Sequence, residues 1–313
     1  MRVLILGGSG YLGSHAAEGL LQLGYQVRVL SRSGPGLLPP PILNHPRFEL
    51  ISGDIACPSV CRMALADCAC VINCIGTTSP AASVDNPTSD WYQQVQPSLE
   101  LLRALRHTHS TRLIFVSSGG TIYGPNSITP STEASICHPI CPYGIHKLSI
   151  ENYLYQEHYL NGLDYLVLRL SNPYGGRQRF HAKQGVPSIF MHKILNGDPI
   201  VLWGDGTVKR DFIYISDFVS AIATCIPYVG KFRTFNVGSS LSVSLNELIH
   251  LIEVLSGRNA IVQFNPARPF DIPLSQLDIN RLKSETGWFP QVDLKAGLVQ
   301  TLKDFRSEGQ WTD

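Results

Sequence analysis

Long apolar runs are missing from this 313-residue chain, although 44% of its residues are hydrophobic. No run approaches the roughly 20 residues that span a bilayer, so an integral membrane protein is not expected. An excess of either charge is missing too. Lys and Arg number 25 against 24 Asp and Glu, a formal net charge of +1, which leaves no electrostatic footprint for nucleic acid. The start has no basic n-region with a cleavage site, because its apolar run feeds a glycine-rich turn. Paired C-x-x-C motifs are absent among the eight cysteines. Cys68-Ala-Cys70, and His138 between Cys137 and Cys141, have the look of ligands, but neither spacing is that of a zinc finger or ribbon. Reduced, mostly buried thiols without a metal, in a cytoplasmic protein, are the better expectation.

What is present begins at once. Met1-Arg-Val-Leu-Ile-Leu-Gly7-Gly8-Ser9-Gly10-Tyr11-Leu12-Gly13 is a strand-type run entering a glycine turn, followed by a helical pattern over 14–23. Glycines at 7, 10 and 13 allow a tight turn and a close backbone approach to a pyrophosphate, whose charge then sits on a helix N-terminus. A glycine turn in another α/β protein would share the spacing. The strand before and the helix after make a dinucleotide the expected ligand, held by Gly7, Gly10, Tyr11, Leu12 and Gly13.

Strands and helices then alternate. Val3–Leu6, Gln26–Leu30, Phe48–Ser52, Cys70–Ile75, Arg112–Val116 and Tyr165–Leu170 read as six strands, with helices over 14–23, 58–66, 90–106 and 146–160. The fold class is α/β with a doubly wound parallel sheet. Residues 1–171, plus part of 212–240, form the dinucleotide-binding domain, and the remainder of 172–313 is a smaller region built largely on connections. Ligands of such sheets sit beyond the carboxyl ends of the strands. Ser31-Arg32, Asp54, Ile75-Gly76 and Ser117-Ser118 all fall there.

Tyr143-Gly-Ile-His-Lys147 is the chemical centre. Residues four apart share a helix face, so the Lys147 ammonium can stand beside the Tyr143 phenol and, helped by the positive ring of an oxidised dinucleotide, lower its pKa towards working range. Such a pair also occurs on ordinary helix surfaces. Here it follows Val116-Ser117-Ser118 in a chain that opens on a dinucleotide turn. Together these motifs resemble the extended branch of the short-chain dehydrogenase/reductase family, that of the NAD(P)-dependent nucleotide-sugar epimerases and dehydratases. The opening is close to that of UDP-glucose 4-epimerases. Ser117-Ser-Gly-Gly-Thr-Ile-Tyr-Gly124, Leu168-Arg-Leu-Ser-Asn-Pro-Tyr-Gly175, Arg177-Gln178, Trp203-Gly-Asp-Gly206, Arg210-Asp-Phe-Ile-Tyr214, Phe235-Asn-Val-Gly238 and Ala267-Arg-Pro-Phe-Asp-Ile-Pro273 continue the likeness.

The resemblance implies a Rossmann-type sheet with a C-terminal region that holds a nucleotide sugar. It implies that Asn172, Arg210 and Arg268 meet the diphosphate and that Asp271 meets the nucleoside ribose, with Thr121, Gln178 and Val186 also on the substrate. Tyr143 and Lys147, with Ser118 or Ser117, are the catalytic set. Ser31, Arg32, Asp54, Ile55, Ile75, Gly76, Thr77, Leu170 and Pro173 join the glycine turn, Tyr143 and Lys147 around the cofactor. A homodimer through helices 90–106 and 146–160 is also implied.

The chain departs from the family pattern at four places. Ser31-Arg32 replaces the usual acid at the end of strand two, which favours NADP over NAD. Gly119 replaces the usual Ser or Thr, so Ser118, Ser117 or Thr121 must supply that hydroxyl, and Ser118 is the choice. Gln94 and Pro97-Ser98 replace Asn and Gly-Thr, so the local helix must differ, and the reach of the longer amide into the site stays open. Ile75-Gly76 replaces a pair of small residues. Gly119-Gly120-Thr121 carries neither the Asp-Glu pair of a dehydratase nor the acids of related branches. A nucleotide-sugar 4-epimerase, UDP-linked by analogy, is therefore expected. A nucleotide-4-ketosugar reductase using NADPH and a non-catalytic dinucleotide binder stay open.

Overall fold

A computed structural model of the protein describes residues 1–76, 79–108, 111–125, 127–178 and 185–307. Thirteen strands occur among these residues. The first six are β1 (Arg2–Leu6), β2 (Gln26–Ser31), β3 (Phe48–Ser52), β4 (Cys70–Asn73), β5 (Arg112–Ser118) and β6 (Tyr165–Leu170). They are followed by β7 (Asn172–Tyr174), β8 (Pro199–Trp203), β9 (Lys209–Tyr214), β10 (Thr234–Val237), β11 (Ser242–Ser244), β12 (Ile261–Asn265) and β13 (Leu274–Ser275).

Seven of them form one parallel sheet in the order β10-β6-β5-β4-β1-β2-β3. Strands β4 and β6 are buried along their whole length, which is why they are mostly apolar without alternation, Asn73 and Arg169 being the polar exceptions. Alternate side chains feed two cores. Val3, Ile5, Val29 and Ile72 pack with helices Tyr11–Gln22 and Ile215–Cys225 on one face. Leu4, Leu6, Val71 and Phe115 pack with Pro58–Leu65, Pro87–Leu105 and Pro142–Asn161 on the other. The order reverses between β1 and β4, which opens a crevice at their carboxyl ends.

Two differences from the sequence expectation matter for the site. The Pro142–Asn161 helix begins four residues earlier than expected, so Tyr143 lies in its first turn. Pro142 at the first helical position, where a missing N–H costs nothing, is the signal for that start. The region after Asn172 is also more regular than expected. β9 pairs with β7, β11 and β13, and β8 pairs with β12. These strands have two to six residues, too short for alternation to show in the sequence. Among the described residues no helix is long and apolar enough to cross a membrane.

Candidate active site

The glycine turn is a cradle that side chains would fill. A Cβ at Gly13 would lie 2.4 Å from the Gly7 carbonyl oxygen, and Gly7 itself has φ +69°. A Cβ on Gly7 would meet the Cys74 carbonyl oxygen at 3.2 Å, so the turn lies against the end of β4. The Tyr11–Gln22 helix starts at Gly10 without a side-chain cap or an acidic residue in its first turn. Its first N–H groups and positive dipole end are thus left for an anion. These features fit the pyrophosphate of a dinucleotide. Gly7, Gly10, Tyr11 and Leu12 line one cavity of about 750 Å³, and Gly13 lies beneath them.

At one end of this cavity stand Ser31, Arg32, Asp54 and Ile55. The Ser31 hydroxyl is buried and bonded to that of Ser9 at 2.6 Å. Arg32 is half exposed and only loosely paired, its guanidinium 3.9 Å from Asp54. Ile75, Gly76, Leu170 and Pro173 also line the cavity. Thr77 lies outside the described residues.

Tyr143 and Lys147 share a helix face, with the Lys147 ammonium 5.8 Å from the phenol ring centre. Lys147 is fixed by donating to the carbonyl oxygens of Ile75 (3.1 Å) and Val116 (3.0 Å), and burial pushes its pKa down to about 8. The expected lowering of the Tyr143 pKa is reversed by the protein's own groups. Burial and then the Asp90 carboxylate push the phenol well above its ordinary range, against a hydrogen bond from Ser118 that favours phenolate. Desolvation outweighs the lysine here because the ammonium is bonded to carbonyls rather than to the phenol.

Of the three candidate hydroxyls, two face the cavity together: Thr121 donates to Ser118 at 2.9 Å. Ser117 is the correction. It reaches the cavity wall, but its hydroxyl donates to the buried Glu151, which holds Arg169 at 2.7 Å. Gln94, whose reach the sequence left open, does not line the cavity. It is buried and donates to Asp90, while its neighbour Gln93 and Pro97 line the cavity instead. Gly119 has a steric reason. A Cβ there would lie 2.5 Å from a methyl of the fully buried Leu277.

The second sheet brings the remaining residues to the other end of the cavity. Asn172 on β7 donates to the Asp211 carbonyl on the neighbouring β9 at 2.9 Å. Arg210 on β9 donates to the Ile272 carbonyl, and burial pushes its pKa down to about 10. Arg268 forms a two-pronged pair with Asp271, both bonds at 2.9 Å, and lies over the rings of Trp203 and Phe270. Two guanidiniums and one carboxylate thus meet at this mouth, a donor set suited to phosphate oxygens. Gln178 and Val186 also line the cavity, and the buried side-chain amide oxygen of Gln178 has no hydrogen-bond partner among the described residues.

The sequence did not reveal three supports of this site. Asp90 is fully buried and bonded to His146 on the Tyr143 helix. Ser83, also fully buried, accepts the Tyr143 backbone N–H at 3.0 Å and donates to the Pro80 carbonyl at 2.7 Å. Arg169 joins Glu151 to Tyr123, whose hydroxyl donates to Asn236 on β10 at 2.6 Å. Each joins elements far apart in the chain, so no local spacing signals it.

The chain is 31% identical over 314 residues to the UDP-glucose 4-epimerase of Mycolicibacterium smegmatis, covering 99% of this chain and 100% of that one. It is 38% identical over 237 residues to the dTDP-4-dehydro-6-deoxyglucose reductase of Escherichia coli, covering 75% and 74%. Its structure superposes on that of the Thermotoga maritima UDP-glucose 4-epimerase with UDP-glucose at a TM-score of 0.92 and 33% identity, covering 98% and 99%. The family model that matches spans residues 3–238, through the glycine cradle, the Tyr143–Lys147 pair and β10. The chain belongs to the NAD dependent epimerase/dehydratase family.

Proposed function

We propose that the protein is an NAD(P)-dependent nucleotide-sugar 4-epimerase, acting on a UDP-sugar by analogy with its relatives. One observation carries the reading. Tyr143, Ser118 and Thr121 line the cavity that also holds the glycine cradle and the Arg210–Arg268 mouth, and among the described residues no carboxylate faces the cavity beside them. Among the described residues the carboxylates lining the cavity are Asp54, at the cradle end, and Asp271, paired with Arg268. Dehydration needs an acid at the sugar; C4 oxidation and reduction need one base.

In this reading residues 1–171 with β10 hold the dinucleotide, and the rest holds the nucleotide sugar. Asn172, Arg210 and Arg268 grip the diphosphate, Asp271 the ribose, and Gln178 and Val186 flank the sugar. Ser118 and Thr121 orient O4, and Tyr143 takes the O4 proton and later returns it. A bound nicotinamide dinucleotide would accept the C4 hydride and give it back to the other face of the turned-over ketose. Lys147 supplies the positive charge that favours phenolate during that transfer. NADP is favoured over NAD, because no carboxylate stands at the end of β2 and Arg32 is free to turn towards a 2′-phosphate. Two copies pair through the helices Pro87–Leu105 and Pro142–Asn161, whose outer faces expose Trp91, Tyr92, Tyr155 and Tyr159. Sedimentation at micromolar concentration tests the pairing.

The 38% identity to a 4-ketosugar reductase favours a second reading, in which the same base serves a net reduction. Incubating the protein with UDP- and dTDP-sugars decides between them. Interconversion of C4 epimers without added reductant supports the epimerase. Steady NADPH consumption on a 4-ketosugar, with no epimer exchange, supports the reductase. Binding of a dinucleotide with neither reaction leaves a non-catalytic protein.

A further inference from the structure

Behind Tyr143 lies a buried acid for which C4 hydride chemistry has no direct use. Asp90 sits in the Pro87–Leu105 helix with no exposed surface and does not line the cavity. One carboxylate oxygen is 2.5 Å from His146 Nδ1 and the other accepts from Gln94 Nε2 at 2.5 Å. His146 lies on the catalytic helix, between Tyr143 and Lys147 in sequence. A buried carboxylate costs several kcal/mol unless it is matched, so the net charge at this position depends on the pair and not on the acid alone.

We propose that Asp90 and His146 are positioning residues that set the charge behind the Tyr143–Lys147 pair, His146 balancing the carboxylate that the phenol faces. This rests on the reading of Tyr143 as the base. Among the described residues the ionisable groups that act with Asp90 are Cys141 at the start of the catalytic helix and Tyr143, His146 and Lys147 on it. Two further ionisable groups act on Lys147. Cys74, at the end of β4, has its thiol pushed up to about 12 by burial, and Glu151 is matched by Arg169. The Asp90 charge opposes phenolate at Tyr143 and favours ammonium at Lys147, so its strength sets how readily the base ionises. The 2.5 Å hydrogen bond from the His146 ring draws on that carboxylate charge, so removing the ring leaves more of the field at the phenol.

The test uses Asp90→Asn, which keeps the shape but removes the charge and one of the two acceptors, His146→Gln, and the double variant. Tyr143 ionisation is followed in the full-length protein with dinucleotide bound, by tyrosinate absorbance against the matching Tyr143→Phe protein. Asp90→Asn is expected to lower the pH of ionisation by roughly one unit, and His146→Gln to raise it. The double variant should follow Asp90→Asn, because without the acid nothing remains to balance. The acid limb of turnover should move in the same directions. Two helices merely pinned together would lose stability with no movement of either midpoint, and that result, or equal displacement in both single variants, overturns the proposal. Should Asp90→Asn not fold, the upward displacement in His146→Gln decides alone. The spectroscopic midpoint is read whether or not any sugar is turned over, so failure of the epimerase reading is seen separately.

Discussion

Gly119→Ser restores the residue type that the family pattern has at this position, and the structure says that it should harm the protein. Gly119 is not in the left-handed region, so the backbone tolerates a side chain. The obstacle is packing. A Cβ would lie 2.5 and 2.9 Å from the two methyls of Leu277 and 3.0 Å from the Arg169 carbonyl oxygen. Leu277 is fully buried against Ile122 and Tyr123, and Arg169 is held in the middle of β6 by its pair with Glu151. The methyls must therefore give way within a closed cluster, which costs about 1–3 kcal/mol. Leu277→Ala alone should cost about 2–5 kcal/mol through the cavity it leaves. In the double variant each change relieves the other, and the combined cost should fall short of the sum by at least about 1 kcal/mol. Urea unfolding of the four proteins measures this directly, with m expected to be unchanged. Additive costs within about 0.5 kcal/mol would refute the argument that Leu277 dictates glycine at 119.

Arg32→Ala should weaken NADP binding by about one to two decades, roughly 1.5–3 kcal/mol, and leave NAD almost untouched; equal losses for both would remove the 2′-phosphate contact. Tyr143→Phe keeps the ring and its packing but loses the transferable proton. Turnover should drop at least about 10²-fold with nucleotide-sugar affinity nearly unchanged, and epimer exchange at a near-normal rate would discard Tyr143 as the base. The Lys147 pKa falls from the ordinary 10.5 to about 8 on burial, so between these pH values the unfolded chain holds a proton that the folded one has released. Stability relative to Lys147→Met should therefore rise across that window, by up to about 3 kcal/mol, and a difference flat in pH would contradict it.

Strand limits were legible at β3 and β6, read as Phe48–Ser52 and Tyr165–Leu170, whereas β4 stops at Asn73, two residues before the expected Ile75. Gly7 and Gly13 were legible because backbone meets backbone there, a demand only glycine satisfies. The Tyr143–Lys147 pair was found because four residues is a helical spacing. Other features depend on tertiary contacts. Whether Ser117 or Ser118 faces the cavity turns on Glu151, 34 residues away, which captures the Ser117 hydroxyl. Whether the Gln94 amide reaches the site stayed open in the sequence, and it is the buried Asp90 that takes it. The direction of the Tyr143 pKa also escaped the sequence, since spacing reports a neighbouring lysine but neither desolvation nor an acid on another helix.

Ser83 gives the cavity wall a mechanical consequence. Its hydroxyl ties the Tyr143 amide to the first turn of the Pro80–Asp85 helix, and Pro80 and Ala81 of that turn line the cavity. In the proposed reading, the wall beside the sugar and the backbone that carries the phenol are therefore one lever, joined at a buried pivot. A ligand that fills the wall poorly leaves the phenol misaimed even when its phosphates are fully gripped. Discrimination between sugars at this wall then registers in the rate of proton transfer more than in the strength of binding.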